Sequence, residues 1–233
     1  MYKVNIFYRG ETKLNINDIY TDDFEYCTAI SSKLNELDKE QLIDIIGQLN
    51  ETVKTLSRVS KQDAQTKLLH KTATEVKIKD YLSKEGKNGA HALMLIDIDN
   101  FKSVNDNNGH IFGDNVICEF AAKLHSICGK NNNIVGRVGG DEFMILVKNS
   151  LLSDVIRIAN TISCTFRKIC IGDICSNVSC SIGISCYPSD SRDFMKLYEY
   201  ADIALYHSKQ LGKNRCSVYS AAYNIKCKNP KLN

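Results

Sequence analysis

The chain has 233 residues, of which 43% are hydrophobic and 24% charged, and its formal net charge is +3 at pH 7. These proportions are those of a folded globular protein, and so small a net charge without a long basic block argues against nucleic-acid binding. No stretch approaches 18 uninterrupted apolar residues, and the N-terminus lacks a secretion signal, so we expect a cytoplasmic protein with no membrane segment.

Residues 1–30 contain one short alternating segment, "YKVNIFYRG", and their role is unknown. Residues 31–62 predict a helical stalk, because apolar residues recur there with alternating spacings of four and three. This heptad seam is short. It is compatible with an amphipathic helix packed on its own domain or with a parallel coiled-coil dimerisation helix. The seam consists of Leu42, Ile46, Leu49, Val53 and Leu56.

Beyond the stalk, helical and strand-like patterns alternate, which predicts an α+β fold with a mixed central β-sheet covered by helices. "HALMLIDID" is a continuous apolar run typical of a buried central strand. "NIVGRV" and "EFMILV" flank Gly139 and Gly140 and predict a tight hairpin. "KICIGDICSNVSCSIGISCYP" and "RCSVYS" predict further strands. Helices are expected over residues 66–84, 101–105, 113–128, 151–167 and 191–211.

The ten cysteines form no CxxC pair. Several alternate with Val, Ile and Ser in strand-like sequence, where a free Cys behaves as a small hydrophobe. In a chain without a secretion signal, this predicts reduced core cysteines. A metal-binding or redox role for some of them stays open. The closest group is Cys170, Cys175, Cys180 and Cys186.

Two acidic clusters stand at predicted strand ends. Asp97 and Asp99 end the central strand, and Asp141 and Glu142 sit at the hairpin. If the hairpin pairs beside the central strand, Asp97 and Asp141 face each other about 5 Å apart. Their repulsion calls for a hard cation, and oxygen-only ligands favour Mg²⁺ or Mn²⁺. Because Mg²⁺ seldom binds so few carboxylates without substrate phosphate, a nucleoside triphosphate is the expected substrate.

The stretch after Asp97 supports a nucleotide site. In "DIDNFKSVNDNNGH" the chain turns from strand to helix, so backbone N–H groups of residues 100–102 can bind phosphate, with Lys102 adding a charge. Asn105 and Asp114 follow on the next helical segments and can recognise a base edge. An aspartate accepts two hydrogen bonds from guanine N1–H and N2–H, which adenine lacks, so a guanine nucleotide is expected.

Three segments, "IDIDNFKSVNDNNGHIFGD", "RVGGDEF" and "ADIALYHSKQLGKNR", together resemble the GGDEF domain of diguanylate cyclases. That family joins two GTP molecules into cyclic di-GMP with release of pyrophosphate. The resemblance covers residues 63–220 and leaves residues 221–233 as a C-terminal tail. It implies the palm-like nucleotidyl cyclase fold and a catalytic domain over that range.

The resemblance also implies roles for individual residues. Asp97, Asp141 and the backbone carbonyl of Ile98 match ligands of two Mg²⁺ or Mn²⁺ ions per active site, and Glu142 matches a second acid needed for activity. Asn105 and Asp114 match the guanine-binding pair. Further matches are the triphosphate contacts Lys102, Lys209 and Lys213, which would act beside the phosphate-binding backbone N–H groups of Asn100 and Phe101. The glycines Gly139 and Gly140 match those that leave room for the nucleotide.

In this family the 3'-hydroxyl of one GTP attacks the α-phosphate of another, bound to a second chain. The resemblance therefore implies a homodimer and favours the stalk as the dimerisation helix. The alternative is a regulatory module that binds GTP or cyclic di-GMP with weak or no turnover. Retention of Asp97, Asp141 and Glu142 argues for the enzyme.

The chain departs from the family at two places. In "DAQTKLLHK", Lys67, His70 and Lys71 stand where the family usually has Gly, Asn and Arg. Lys130 and Asn133 stand where many members have the Arg and Asp of a product-inhibition site. Neither residue reproduces an arginine fork or a carboxylate, so we predict no feedback inhibition through that site.

Two other polar features have ordinary structural interpretations. Asp99 is interpreted as a strand-end acid, with a metal-binding role as the alternative. His110 matches a helix-start position, and His91, His125 and His207 are expected at the surface or in packing.

Overall fold

The structure is a computed structural model that describes residues 5–8, 11–15, 37–129, 132–166 and 168–222, with only the backbone described for 5–15 and 58–60. It divides into two compact units, residues 1–60 and 61–233. In the first unit, strands β1 (Asn5–Tyr8) and β2 (Glu11–Asn15) pair antiparallel. Helix α1 (Lys39–Lys61) follows.

Helix α1 begins with a reciprocal cap. The Gln41 backbone N–H donates to Asp38 Oδ1 at 2.8 Å, and the Asp38 N–H donates to Gln41 Oε1 at 3.0 Å. Two N-terminal donors are thereby satisfied. The predicted stalk helix is confirmed from Lys39 onward, whereas its first residues, 31–36, lie outside the described residues. In the part of the chain that the structure describes, no helix has the length and apolarity needed to cross a membrane.

The second unit contains a six-stranded sheet in the order β10-β9-β4-β6-β5-β3. Strand β4 lies in the middle and pairs antiparallel with both neighbours, while the two outermost pairs are parallel. This confirms the predicted mixed sheet. Its strands are β3 (Leu69–His70), β4 (His91–Ile98), β5 (Ile134–Arg137), β6 (Glu142–Val147), β9 (Cys180–Tyr187) and β10 (Cys216–Val218).

Helices cover both faces of this sheet, which explains the unbroken apolar run of β4. Met94 and Ile96 lie in one hydrophobic cluster with residues of the fourth and fifth helices. Leu93 and Leu95 lie in a second cluster with residues of the second and sixth helices. The helices are α2 (Lys71–Ser83), α3 (Phe101–Asn108), α4 (His110–Cys128), α5 (Leu152–Thr165) and α6 (Phe194–Gln210).

Helix α6 lies directly against β9. A Cβ atom at Gly183 would collide with the backbone oxygen of Ala201 and the backbone nitrogen of Leu205. Only glycine permits this approach, because backbone atoms of a packed helix cannot move aside as a flexible side chain can. The position of α6 on the sheet is therefore set by backbone contact.

Helix α2 begins at Lys71, later than the predicted start at residue 66. The preceding residues form a turn in which the Thr66 N–H and hydroxyl both donate to Asp63 Oδ1, and Lys67 has φ of +61°. The family that the sequence resembles usually has a glycine at this left-handed position, whereas this chain has Lys67, which costs about 1 kcal/mol. His70 then caps the helix, since its Nδ1 accepts the Ala73 N–H at 3.2 Å.

The cysteine prediction is wrong for one pair, and it is also wrong for Cys164, which is free but exposed rather than in the core. Strands β7 (Ile169–Ile171) and β8 (Ile174–Ser176) form a hairpin in which Cys170 and Cys175 are directly opposed, exposed and joined by a disulfide. The sequence pattern identified strands but not which face each thiol occupies. Cys128 and Cys180 are buried, as predicted, and burial raises the pKa of each thiol to about 12.

Candidate active site

The acidic hairpin does pair beside the central strand, but its register differs by one residue from the prediction. Asp97 is paired with Glu142, whereas Asp141 lies just outside β6. Asp141 contributes its backbone oxygen, which accepts the Ile98 N–H at 3.2 Å. The strand ladder ends at Glu142, so the facing pair of acids is Asp97 and Glu142, with Asp141 adjacent.

Asp97 is largely buried and lies beside charges of both signs. Its side chain is 13% exposed, and its Oδ2 lies 2.7 Å from Lys209 Nζ at the end of α6. Burial raises the pKa of Asp97, and the nearby charge of Asp141 raises it further, while Lys209 acts in the opposite direction. Because the pKa stays raised despite the lysine, the site favours additional positive charge.

Glu142 shares this environment from the neighbouring strand. Partial burial raises its pKa first, and the charges of Asp97 and Asp141 add to the effect. A Cβ atom at Gly139 would lie 2.5 Å from Glu142 Oε2, whereas one at Gly140 would meet nothing within 4 Å. The two glycines therefore differ: the first makes room for Glu142, and the second leaves open space beside the acids.

Arg137, which the sequence analysis did not single out, organises the hairpin. Its guanidinium donates to the carbonyls of Gly139 and Gly140, and its Nη1 also donates to Asp63 Oδ1 at 3.1 Å and Gln65 Oε1 at 2.6 Å. The pKa of Asp63 is lowered by hydrogen bonds from Thr66 and Arg137, which outweigh its partial burial. The signal available in the sequence was an arginine two residues before the glycine pair.

A polar turn follows β4. Asn100 has φ of +55°, and its carbonyl accepts the N–H groups of Ser103 and Val104, which start α3. The N–H groups of Phe101 and Lys102 precede these first bonds and lie at the positive end of the helix. The Phe101 ring packs on the core, so only its backbone is suited to phosphate, whereas the Lys102 side chain is exposed.

Lys213 reaches the same turn from the loop after α6, where its Nζ donates to Asn100 Oδ1 at 2.6 Å. Together with the Lys209 contact to Asp97, this brings two of the three predicted phosphate-binding lysines to the end of β4. The predicted guanine pair lies on the neighbouring helices. Asn105 packs against Gly113, where a Cβ atom would collide with its Oδ1, and the exposed Asp114 follows directly.

Asp99 lies beside Asp97 in sequence but not in the same environment. It is 5% exposed and accepts hydrogen bonds from Ser179 Oγ at 2.7 Å, Ser181 Oγ at 2.6 Å and the Asn214 N–H at 3.0 Å. Both of its oxygens are engaged by protein donors. This supports the interpretation of Asp99 as a structural acid rather than a metal ligand.

Asn133, which stands where many family members have the aspartate of a product-inhibition site, has a structural role in this protein. Asn133 donates to the Cys128 carbonyl at 2.9 Å and accepts the Lys148 N–H at 2.9 Å, which joins the end of α4 to the end of β6. Its amide is thus committed to the fold. Lys130 lies outside the described residues.

The donor set at the end of β4 suits a hard divalent cation, because its acidic groups are carboxylates with oxygen donors only. Within the described ranges, no three His, Cys, Asp or Glu side chains converge into a preformed metal centre. Any cation would therefore need ligands from elsewhere, such as backbone carbonyl, water or substrate phosphate.

The family comparison agrees with this geometry. The profile of the family described as "Diguanylate cyclase, GGDEF domain" matches residues 60–215, more than half of the chain. The solved coiled coil and GGDEF domain of DgcB from Caulobacter crescentus, in complex with c-di-GMP, has a TM-score of 0.70 at 23% identity. That match covers 82% of this chain and 99% of that one, and it shows the shared fold. The chain belongs to the diguanylate cyclase GGDEF-domain family.

Two curated relatives carry different activities in their names. Diguanylate cyclase A of Treponema denticola is 32% identical over 196 residues, which cover 76% of this chain and 52% of that protein. The cyclic di-GMP phosphodiesterase PdeR of Escherichia coli is 32% identical over 146 residues, covering 62% of this chain and 22% of that protein. The chain thus spans about half or less of these relatives, so family membership alone does not assign the activity of the whole protein.

Proposed function

We propose that this protein is a diguanylate cyclase that condenses two GTP molecules into cyclic di-GMP and two pyrophosphates. The observation that carries the proposal is the meeting of Asp97, Glu142 and Lys209 at the end of β4, where the pKa of both acids is raised. A site in which acidic side chains cluster around an ion-paired lysine is suited to exchange this ion pair for cation and phosphate. We expect the reaction to take place in the cytoplasm, where GTP is available.

Asp97, Asp141 and the Ile98 carbonyl would hold the cations, two Mg²⁺ or Mn²⁺ per active site. When bound, such ions lower the pKa of an attacking hydroxyl and neutralise charge on phosphate. Lys209 and Lys213 would bind the triphosphate, and Lys209 would leave its ion pair with Asp97 to do so. Glu142, with its raised pKa, stands beside Asp97 as the second essential acid.

The remaining residues select and seat the nucleotide. The N–H groups of Phe101 and Lys102 donate to phosphate oxygens at the start of α3. Asn105 and Asp114 bind the guanine edge, which rejects ATP because the Asp114 carboxylate would lack its two donors. Gly140 leaves open space beside the acids, which supports its proposed role in admitting the nucleotide.

Product formation from GTP tests the enzyme against the binding module. Purified protein is incubated with Mg²⁺ and GTP, ATP or both, and products are identified by mass spectrometry. We expect cyclic di-GMP from GTP alone, its loss in Asp141→Asn, and its retention in the control Asp154→Asn, a surface acid paired with Arg157. Nucleotide binding without product at any protein concentration would instead support the regulatory module.

Dimerisation through α1 is the second part of the proposal, because one GTP bound to each of two chains is needed for a cyclic product. The seam of α1 is exposed in the single chain, with Ile46 56%, Leu49 37%, Val53 61% and Leu56 44% exposed. An apolar stripe of this kind is stabilised by a second copy. We accordingly propose residues 31–62 as the stalk and 63–220 as the catalytic domain.

Light scattering during size-exclusion chromatography tests the dimer. Val53→Glu places a charge in the seam and should give a monomer with little activity. Ile43→Glu is the matched control, because Ile43 is equally exposed at 60% but lies beside the seam, where coiled coils tolerate charge. A Val53→Glu variant that stays dimeric and active would rule out dimerisation through this seam.

Feedback is tested in the same assay by adding excess cyclic di-GMP. Since Lys130 and Asn133 replace the arginine and aspartate of the usual site, we expect the initial rate to stay within about twofold. Strong inhibition at low product concentration would show that the product binds elsewhere on the chain.

A further inference from the structure

Asp99 is a buried carboxylate that the proposed reaction does not use. At 5% exposure, an ionised carboxylate is stable only if its oxygens accept enough hydrogen bonds to offset desolvation. Asp99 accepts three, from the hydroxyls of Ser179 and Ser181 and from the backbone N–H of Asn214. The two oxygens are thus occupied by three donors.

These donors come from two different parts of the second unit. Ser179 and Ser181 lie at the start of β9, the neighbour of β4, and the backbone N–H of Asp99 also donates to the Ser179 carbonyl at 2.8 Å. Asn214 belongs to the loop of residues 211–215 between α6 and β10. Asp99 therefore joins this loop to the end of the central strand.

The loop needs such an anchor. Lys213 and Asn214 have φ of +63° and +49°, a left-handed conformation that is unfavourable for lysine and better tolerated by asparagine. Consecutive residues in this conformation persist only where surrounding contacts hold them. Within the loop, the Lys213 N–H donates to the Ser208 carbonyl at 3.1 Å, and Arg215 Nε donates to the Lys213 carbonyl at 3.1 Å. The bond from the Asn214 N–H to Asp99 is the one that ties these two left-handed residues to the end of β4.

The anchored conformation directs Lys213 to its target. Its Nζ lies 2.6 Å from Asn100 Oδ1, at the turn that starts α3, and Asn100 also has a left-handed φ of +55°. Asp99 directly precedes Asn100 in the chain and accepts a hydrogen bond from Asn214, the residue after Lys213. It is therefore connected to both partners of the contact between Lys213 and Asn100. Loss of its hydrogen bonds would undock Asn214 from the end of β4 and loosen the constraint on Lys213, although the bonds to the Ser208 carbonyl and from Arg215 would remain.

We propose that Asp99 is a positioning residue that docks the loop of residues 211–215 on β4 and thereby aims Lys213 at the triphosphate of the nucleotide. It sets nucleotide affinity without contacting the substrate or any cation. This inference rests on the proposed function only in naming a nucleoside triphosphate as the ligand of Lys213.

The replacement Asp99→Asn separates positioning from metal binding. An asparagine can place its carbonyl oxygen toward Ser179 and the Asn214 N–H and donate its amide to Ser181 Oγ, which can accept. A positioning role therefore predicts that Asp99→Asn binds nucleotide within about threefold of wild type, while Asp99→Ala weakens binding about tenfold. A metal ligand would instead lose its function in both variants.

The measurement is the dissociation constant of a non-hydrolysable GTP analogue, by titration calorimetry on the full chain with Mg²⁺ present. Lys213→Ala should also weaken binding about tenfold, and Asp99→Ala/Lys213→Ala about as much as either single change, because both act through one contact. Independent, additive losses of about a hundredfold would overturn the proposal, as would equal losses in Asp99→Asn and Asp99→Ala.

Binding is measured apart from turnover, so failure of the two proposals can be distinguished. A protein that binds the analogue with this pattern but makes no cyclic di-GMP keeps the positioning role and loses the cyclase. Product formation with unchanged binding in Asp99→Ala overturns the positioning role alone. Absence of analogue binding in wild type overturns both.

Hydrogen exchange provides a second readout if Asp99→Ala is poorly folded. Ser181→Ala removes one of the three donors and should speed exchange in residues 211–215 with a smaller loss of affinity, whereas Lys213→Ala should leave that exchange slow. Equal exchange in wild type and Ser181→Ala, together with equal affinity, would contradict the docking of the loop by Asp99.

Discussion

The two ends of strand β4 carry polar residues that differ in how far the protein itself pairs them. At its start, His91 is 2% exposed, its Nε2 lies 2.7 Å from the Gly86 carbonyl and its Nδ1 lies 3.0 Å from the Asn149 nitrogen. Both ring nitrogens are paired when the proton is assigned to Nε2, and the rings of Tyr81 and Tyr187 pack around the imidazole. This confirms a packing role for His91.

At the other end of β4, Asp97 and Glu142 are acids whose pKa values are raised by burial and by the charges of neighbouring carboxylates. The polar groups at the first end are paired within the protein, whereas the second end keeps an excess of negative charge beside Lys209. Such an excess points to a cationic ligand. This difference in charge balance locates the functional end of β4 better than the presence of polar residues does, and four predictions test it.

The largest expected effect is the loss of activity in Asp97→Asn. The substitution keeps size but removes a charge that would hold cations, so the initial rate of cyclic di-GMP formation should fall at least about a thousandfold. The fold should be retained, because the raised pKa shows that the neutral form is the better tolerated one. A rate within tenfold of wild type, with Asp154→Asn as control, would remove Asp97 from the reaction.

At the opposite end of β4, His91→Ala should chiefly affect stability. It leaves the Asn149 N–H and the Gly86 carbonyl without their partner and opens a cavity between two tyrosines, so the free energy of unfolding should fall by about 2–4 kcal/mol. Urea denaturation measures this loss, with the exposed His125→Ala as control at under about 1 kcal/mol. A loss as small as the control's would mean that the cluster is not stabilising.

Divalent cation should stabilise the acidic end of β4 even without nucleotide, because water and backbone carbonyl oxygens can complete its ligands. Binding of Mg²⁺ to the folded state at about ten times its dissociation constant adds about 1.4 kcal/mol, which raises Tm by about 3–5 °C. Differential scanning fluorimetry with NaCl of equal ionic strength as control measures the shift. We expect it to be absent in Asp97→Asn, and an equal shift in that variant would place the cation elsewhere.

The smallest effect is a pH dependence of stability. The raised pKa values of Asp97 and Glu142 mean that the folded state binds more protons than the unfolded state, whose ordinary values are 3.8 and 4.5. Their contribution to stability is therefore present below those values and is lost as pH rises through the raised ones. In Asp97→Asn/Glu142→Gln this decline should be absent, and an unchanged decline would assign it to other groups.

Much of this architecture follows from local sequence patterns. Burial leaves a pattern of apolar residues in the sequence, so the strand β4 and the hairpin could be predicted. The acids at the strand ends could be predicted as a site because a charge near a buried strand is costly unless it has a partner. Helix α2 was predicted to start too early, because periodicity does not register the left-handed turn at Lys67. The pairing of Asp97 with Glu142 differed by one residue, since the pattern does not show where a ladder ends.

Contacts between distant segments were beyond the sequence pattern. Arg137 binds Asp63, 74 residues away, and Asn214 binds Asp99 at a separation of 115. Neither partner carries a periodic or compositional signal for the other. The disulfide between Cys170 and Cys175 was missed for a related reason: alternation identifies two strands but does not tell an exposed thiol from a buried one when both faces carry similar residues.

The backbone contact at Gly183 also restricts how this protein can move. Because Ala201 and Leu205 of α6 lie against a residue without a side chain, the helix has no compressible layer of side chains beneath it there. Sliding of α6 along β9 would drive backbone into backbone. Adjustment to an incoming nucleotide is therefore expected from side-chain rotation of Lys209 and Lys213, and not from a shift of the whole helix.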